Sequence, residues 1–192
     1  PAAALRLAVA AAHRAACAPG IEAVADREPS GTTLVAAVAH RGGVDVAWVG
    51  DSRAYLVRPA AAGARPAAAL LTHDHTWLNE VVESGQQTRA EAARSPQAHT
   101  LTHCLGPLED PDPDRPPEPS LARVPGAAHG RLVLCSDGLW NATAGPWEVA
   151  ELASLVPATA DARALALHLV RRGLAAGGPD DVTAAVALLP GE

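Results

Sequence analysis

Three aspartates of this 192-residue chain share one local grammar. Asp51 follows the run Val46-Ala47-Trp48-Val49-Gly50, Asp137 follows Leu132-Val133-Leu134-Cys135-Ser136, and Asp180 stands just before Val182-Thr183-Ala184-Ala185-Val186. Each is a carboxylate at the end of an apolar run that reads as a strand, a position where a side chain is held rigidly at a sheet edge. If the three strands are neighbours the carboxylates converge, and clustered carboxylates repel one another unless a cation binds among them. An all-oxygen donor set without histidine or cysteine suits magnesium or manganese rather than zinc. Such an ion lowers the pKa of a bound water and offsets the charge of a phosphoryl group, so the chemistry implied is direct attack of metal-bound water on phosphorus, with no phosphoenzyme intermediate. Taken singly, an aspartate beside a glycine at a strand end is an ordinary turn residue. Composition and spacing leave both readings open.

The elements that must position these residues can be read in order. Residues 3–17 have the pattern of an amphipathic helix stopped by Pro19-Gly20. The runs 31–39 and 44–49 across Arg41-Gly42-Gly43 form a hairpin pattern, and a third short strand, 54–58, follows Asp51. Three short strands joined by tight turns predict one antiparallel sheet. A strand lies near Leu70-Leu71, a helix spans Thr76 to Ser84, and Thr88-Arg89-Ala90-Glu91 is a capping box that opens another helix. Glu109 to Ser120, rich in proline and aspartate, reads as an extended solvated loop. Strand 131–136 leads into Asp137-Gly138. Helices at 147–155 and 161–175 come next, the second with Thr159 as candidate cap, and strand 182–189 ends the series. Strands first, helices inserted and a returning strand predict an α+β architecture in a single domain over residues 1–192.

The bulk properties agree with a globular domain. Hydrophobic residues make up 48% and charged residues 19% of the chain, while phenylalanine and methionine are absent, so aliphatic residues and four tryptophans must fill the core. Trp48, Trp140 and Trp147 are expected in it. A net charge of −6 without basic clusters excludes nucleic acid and anionic membrane as primary partners. Cys17, Cys104 and Cys135, an odd and widely spaced set, read as reduced thiols of a cytoplasmic protein. No apolar run is long enough for a membrane-spanning helix.

The segments themselves are familiar. GTTLVAAV (31–38), VAWVGDSRAYL (46–56), LTHDHTW (71–77), LTHCLG (101–106), LVLCSDGLW (132–140) and GGPDDVTAAV (177–186) resemble, in order and approximate spacing, the type 2C (PPM-type) metal-dependent serine/threonine protein phosphatases of bacteria. The resemblance implies a four-layer sandwich of two antiparallel β-sheets flanked by helices, with a metal cluster in a cleft at the sheet edges. It implies that Asp137 and Asp180 bind the catalytic pair of magnesium or manganese ions, that Asp51 together with Asp137 holds a third, and that residues 77–98 form a flap beside the active site. It also implies a phosphoprotein substrate, made by a serine/threonine kinase, and a monomeric enzyme.

Two departures from the family pattern carry weight. Asp181 stands where the family has asparagine, adding negative charge next to Asp180. The family's opening strands, with a glutamate-aspartate pair and a DGxxG turn, have no counterpart among these residues, so the expectation is an N-terminally incomplete domain in which no catalytic general acid or phosphate-binding arginine is assigned. A degenerate phosphatase-like binding or regulatory module is the alternative function.

Other chemistries fit less well. His73-Asp74-His75 with His99, His103 and Cys104 suggests a zinc hydrolase but lacks a full HxHxDH, and those histidines are expected to face solvent or the flap. Ser52 and Ser136 have no GxSxG setting and read as turn hydroxyls. Asp110, Asp112 and Asp114 imitate a calcium loop, but Arg115 stands where the turn glycine belongs and Leu121 where the bidentate glutamate belongs.

Overall fold

The computed structural model describes residues 1–18, 31–58, 66–106, 112, 114–126, 129–143, 145–157, 159–177 and 180–189. Two antiparallel sheets and a set of helices make an α+β fold, as the order of strand and helix patterns predicts. The chain divides into two units, one of residues 1–36, 47–51 and 74–121, the other of residues 37–46, 52–73 and 122–192.

In the first unit, helix α1 (Ala2–Ala16) turns Leu5, Val9 and His13 inward at four-residue spacing, one face of a helix, and leaves Leu7 in solvent. Leu5 and Val9 pack with Ala47, Val49 and Leu105. His13 links the helix to the loop beyond, since its Nδ1 accepts the Gly106 N–H at 3.3 Å. A backbone N–H can only donate, so Nε2 carries the ring proton and faces the Asp112 carbonyl at 3.1 Å. Helices α2 (Trp77–Glu83) and α3 (Arg89–Ala92) fall where helical patterns were read. The Thr88–Glu91 capping box is present with both of its hydrogen bonds, and the Thr88 side chain holds the Glu91 carboxyl below its ordinary pKa. Arg89 reaches back to Asn79 Oδ1 at 2.9 Å and ties α3 to α2.

In the second unit, a four-stranded sheet has the order β4 (Ala67–Leu70), β3 (Arg53–Arg58), β6 (Gly130–Cys135), β7 (Ala184–Leu189), antiparallel throughout. Its core gathers Tyr55, Val57, Val133 and Cys135 from the strands with Leu139, Trp140, Val149, Leu152, Leu165 and Leu169 from helices α4 (Asp137–Trp140), α5 (Pro146–Ser154) and α6 (Ala162–Ala175). The remaining sheet has the order β1 (Leu34–His40), β2 (Gly43–Val49), β5 (Ser120–Pro125). Every residue of β2 is buried, Asp45 included. The Asp45 carboxylate is met by His40 Nε2 at 3.2 Å and Arg123 Nε at 3.6 Å.

The structure departs from the sequence reading in several places, the single-turn helix α4 among them. β3 does not extend the β1-β2 hairpin; it belongs to the other sheet, because Gly50, at φ +99°, turns the chain out of β2. β5 was not anticipated. Trp147 is 54% exposed rather than in the core, whereas Trp48 and Trp140 are buried. Asp161, not Thr159, caps α6, its side chain accepting the Ala164 N–H at 2.7 Å. The stop of α1 at Pro19-Gly20 lies outside the described residues, as do residues 109–111 and 113 of the 109–120 loop; the described residues from 114 to 119 have neither helix nor strand, and Asp112 and Asp114 are exposed.

Arg131 on β6 joins the sheet to α5. Its guanidinium donates to the carbonyl of Ala153 in the last turn of α5, which helix geometry leaves without an intrahelical partner, and to those of Val156 (3.0 Å) and Pro157 (2.6 Å) just beyond the helix. Arg131→Met keeps the aliphatic stem and removes these donors. It is expected to lower unfolding free energy by about 1–3 kcal/mol, read as a shift in the urea midpoint. An unchanged midpoint would show that water replaces the arginine without cost.

Candidate active site

Asp137 and Asp180 lie on two loops that interlock at one end of the four-stranded sheet. β6 and β7 are paired from Gly130↔Leu189 to Cys135↔Ala184, so the residues just after β6 and just before β7 must meet. They meet through Ser136. Its N–H donates to the Thr183 carbonyl at 3.1 Å, its Oγ donates to the Asp181 carbonyl at 3.1 Å, and the same Oγ accepts the Thr183 N–H at 3.0 Å. The turn-hydroxyl reading of Ser136 holds, with a larger role: one hydroxyl closes both loops. Gly138 completes the lock by having no side chain. A Cβ there would lie 2.4 Å from the Asp181 carbonyl oxygen and 3.2 Å from that of Asp180, so the backbone of the Asp180-Asp181 turn occupies the space that any other residue would need.

Asp137 opens the single turn of α4. It is half-buried, and its Oδ1 accepts the Gly138 N–H at 2.9 Å. Asp180 and Asp181 are exposed. The far end of α4 is held from β3. The Arg53 guanidinium lies 3.6 Å from the centroid of the Trp140 ring, a cation–π stack, and its Nη1 reaches the buried Tyr55 hydroxyl at 3.5 Å. The arginine of the Gly50-Asp51-Ser52-Arg53 segment therefore steadies the helix that begins with Asp137. Its alternating position in strand β3 gave no hint of that, and only a known Trp140 neighbour would have.

Asp51 belongs to the first unit, at the exit of β2, and is half-buried. Gly50 before it is obligatory on two counts: φ is +99°, and a Cβ would come within 2.4 Å of Thr33 Cγ2. The histidines read as solvent-facing are otherwise placed in one case. His75 is half-buried, its Nδ1 accepts the Gly50 N–H at 3.1 Å, and its ring lies 4.8 Å from that of His103. His73, His99 and His103 are exposed. Cys104 is buried, and burial pushes its thiol pKa up, away from ligation or nucleophilic use.

No group of three acidic, histidine or cysteine side chains that could hold a metal ion occurs among the described residues. What these residues offer is a partial set: carboxylate oxygens alone, on two loops that Ser136 and Gly138 keep together. By donor type the set fits magnesium or manganese.

No protein-family profile matches the chain. The serine/threonine protein phosphatase PstP of Mycobacterium tuberculosis is 32% identical over 176 residues, which cover 92% of this chain and 31% of PstP. The serine/threonine phosphatase stp of Listeria monocytogenes is 33% identical over 120 residues, covering 62% of this chain and 43% of that protein. The chain thus spans less than half the length of these relatives. Among solved structures, the PstP catalytic domain in complex with two manganese ions superposes with a TM-score of 0.69 at 30% identity, covering 97% of this chain and 70% of that one. The serine/threonine phosphatase of S. agalactiae superposes with a TM-score of 0.73 at 28% identity, covering 96% and 69%. On its ordered motifs, its pair of antiparallel sheets and these matches, the chain belongs to the bacterial type 2C, or PPM-type, serine/threonine protein phosphatase family.

Proposed function

We propose that the chain contributes the Asp137 and Asp180 loops, and the Asp51 turn, to a magnesium- or manganese-dependent phosphatase that hydrolyses phosphoserine and phosphothreonine in proteins. The observation that carries this reading is the clasp at Ser136. A serine with three hydrogen bonds, two of them through its hydroxyl, and a glycine position with no room for a side chain are strong constraints for two loops, and what they keep adjacent is a pair of carboxylate-bearing turns. Two like charges so placed are unfavourable without a cation. That PstP has been solved with two manganese ions supports the choice of metal.

In this reading Asp137 and Asp180 are ligands, and Asp51 assists a further ion. The chemistry such cations supply when bound is activation of water for attack on phosphorus and neutralisation of the phosphoryl charge. The chain's other residues keep the ligands in place: Ser136 and Gly138 set the distance between the loops, and Arg53 on Trp140 fixes the axis of α4. Asp181, one residue after Asp180, uses its carbonyl in the clasp and adds a second carboxylate at the same turn. A phosphoprotein made by a serine/threonine kinase, met in the cytoplasm by a monomeric enzyme, is the substrate this reading calls for. The competing function is a phosphatase-like binding or regulatory module, which the lack of a three-ligand group among the described residues favours.

Turnover separates the two. The full-length protein is expected to hydrolyse p-nitrophenyl phosphate and phosphothreonine peptides with manganese, to stop in EDTA, and to fall to background in Asp137→Asn. Activity that persists in EDTA, or in Asp137→Asn, would sink the mechanism. No turnover in wild type with manganese bound would favour the binding module.

The clasp makes its own prediction. Ser136→Ala and Gly138→Ala leave every proposed ligand in the sequence but loosen or displace the Asp180-Asp181 turn. Each is expected to weaken manganese binding about 10- to 100-fold, the range found when groups that orient metal ligands are removed. Calorimetric titration with manganese checks it, and wild-type affinity in Gly138→Ala would show that the turn moves without consequence.

A further inference from the structure

We infer that His75 is a positioning residue for Asp51, acting through the two peptide groups of Gly50; the inference rests on the phosphatase reading above. Gly50 gives both of its polar backbone groups to this one residue. Its N–H donates to His75 Nδ1 at 3.1 Å, and its carbonyl accepts the His75 N–H at 3.1 Å. The first of these groups belongs to the peptide that leaves β2, and the second belongs to the peptide that ends at the Asp51 nitrogen. A glycine with φ +99° and no side chain is the most easily pivoted residue in the turn, and pivoting there would swing Asp51. With both peptide planes held, that freedom is removed.

The imidazole is itself fixed on every side. Because a backbone N–H only donates, Nδ1 carries no proton, so Nε2 carries it and donates to Ser120 Oγ at 2.9 Å. Trp48 stacks near one face, with centroids 6.1 Å apart and planes 20° from parallel, and the His103 ring tilts against it at 4.8 Å. The His75 carbonyl accepts the Thr102 N–H at 3.0 Å. His75 sits in neither a helix nor a strand, and its ring does for Asp51 what a hydrogen-bond ladder does inside a sheet.

Asparagine and glutamine test this differently. Asparagine Oδ1 is as many bonds from Cα as Nδ1 and can accept the Gly50 N–H; glutamine Oε1 matches Nε2 and cannot. Manganese binding to the full-length protein, followed by electron paramagnetic resonance, is expected to lose about tenfold affinity for one class of ion in His75→Gln and in Asp51→Asn. His75→Asn is expected to bind as wild type. The double variant His75→Gln with Asp51→Asn should bind no more weakly than Asp51→Asn alone, because both changes act on one ligand. Ser120→Ala leaves the Gly50 bonds in place and removes only the ring's far anchor, so it should move the affinity in the same direction by less, and it stands in if His75→Gln does not fold. Wild-type binding in His75→Gln or, where that variant is unfolded, in Ser120→Ala overturns the role of His75, as does equal loss in His75→Asn and His75→Gln, or an additive double variant. Wild-type binding in Asp51→Asn overturns the ligand reading of Asp51 instead, and His75 with it.

Discussion

The pairing of β6 with β7 is the constraint on which the candidate site depends. Six consecutive cross-strand partners bring Cys135 opposite Ala184, and the chain must then turn away from both strands at once. A loop after one strand and a loop before the other would ordinarily drift apart into solvent. Here the Ser136 hydroxyl continues the pairing by one further step, donating to one backbone group and accepting from another, as a peptide unit in the ladder would. The sheet's register is thereby passed on to two aspartates that are not themselves in the sheet. The same argument explains the order Ser-Asp-Gly: the serine closes the ladder, the aspartate is the first residue free of it, and the glycine makes room for the opposing turn.

Much of this was legible in the sequence, and the reasons differ by residue. Strands β6 and β7 and helix α6 are continuous apolar or amphipathic runs bounded by glycine, aspartate or proline, and periodicity finds such segments readily. Asp137 and Asp180 stand out as candidates from their place at the ends of those runs, but their neighbourhood does not, because pairing between strands distant in sequence leaves no local mark. β5 was missed for a physical reason. Ser120–Pro125 alternates only weakly, carries Arg123 in its middle and proline at its end, and follows a proline-rich stretch. Its pairing in the sheet, and the contact of Arg123 with the buried Asp45, are what make it a strand. Thr159 was preferred as the cap of α6 on residue type alone, whereas Asp161 has the side chain that reaches the third residue on.

The tryptophans and histidines show where residue type misleads. Trp140 and Trp147 are seven residues apart, and one packs in the core under an arginine while the other stands largely in water. Burial is set by which face of α5 meets the sheet, and Val149, Ala150, Leu152 and Ala153 fill that face with smaller side chains. In a core without phenylalanine or methionine, close packing around Tyr55 and Trp140 comes from leucine, valine and alanine. His75 misled in the other sense. A histidine near a second histidine invites a metal reading, yet both ring nitrogens of His75 have hydrogen-bond partners, Gly50 after β2 and Ser120 at the start of β5.

The three proposed ligands are therefore positioned on different principles. Asp137 and Asp180 inherit their placement from a sheet, so that their precision is that of a hydrogen-bonded ladder extended by one serine. Asp51 leaves its strand through a left-handed glycine, a residue that carries no precision of its own, and a side chain from elsewhere in the sequence must supply it. That contrast accounts for the pattern of polar residues around each aspartate: serine and glycine adjoining Asp137, and a histidine 24 residues away for Asp51, which the numbers 51 and 75 give directly. A ligand at a ladder's end needs only a neighbour to close the turn, whereas a ligand beyond a pivot needs a brace.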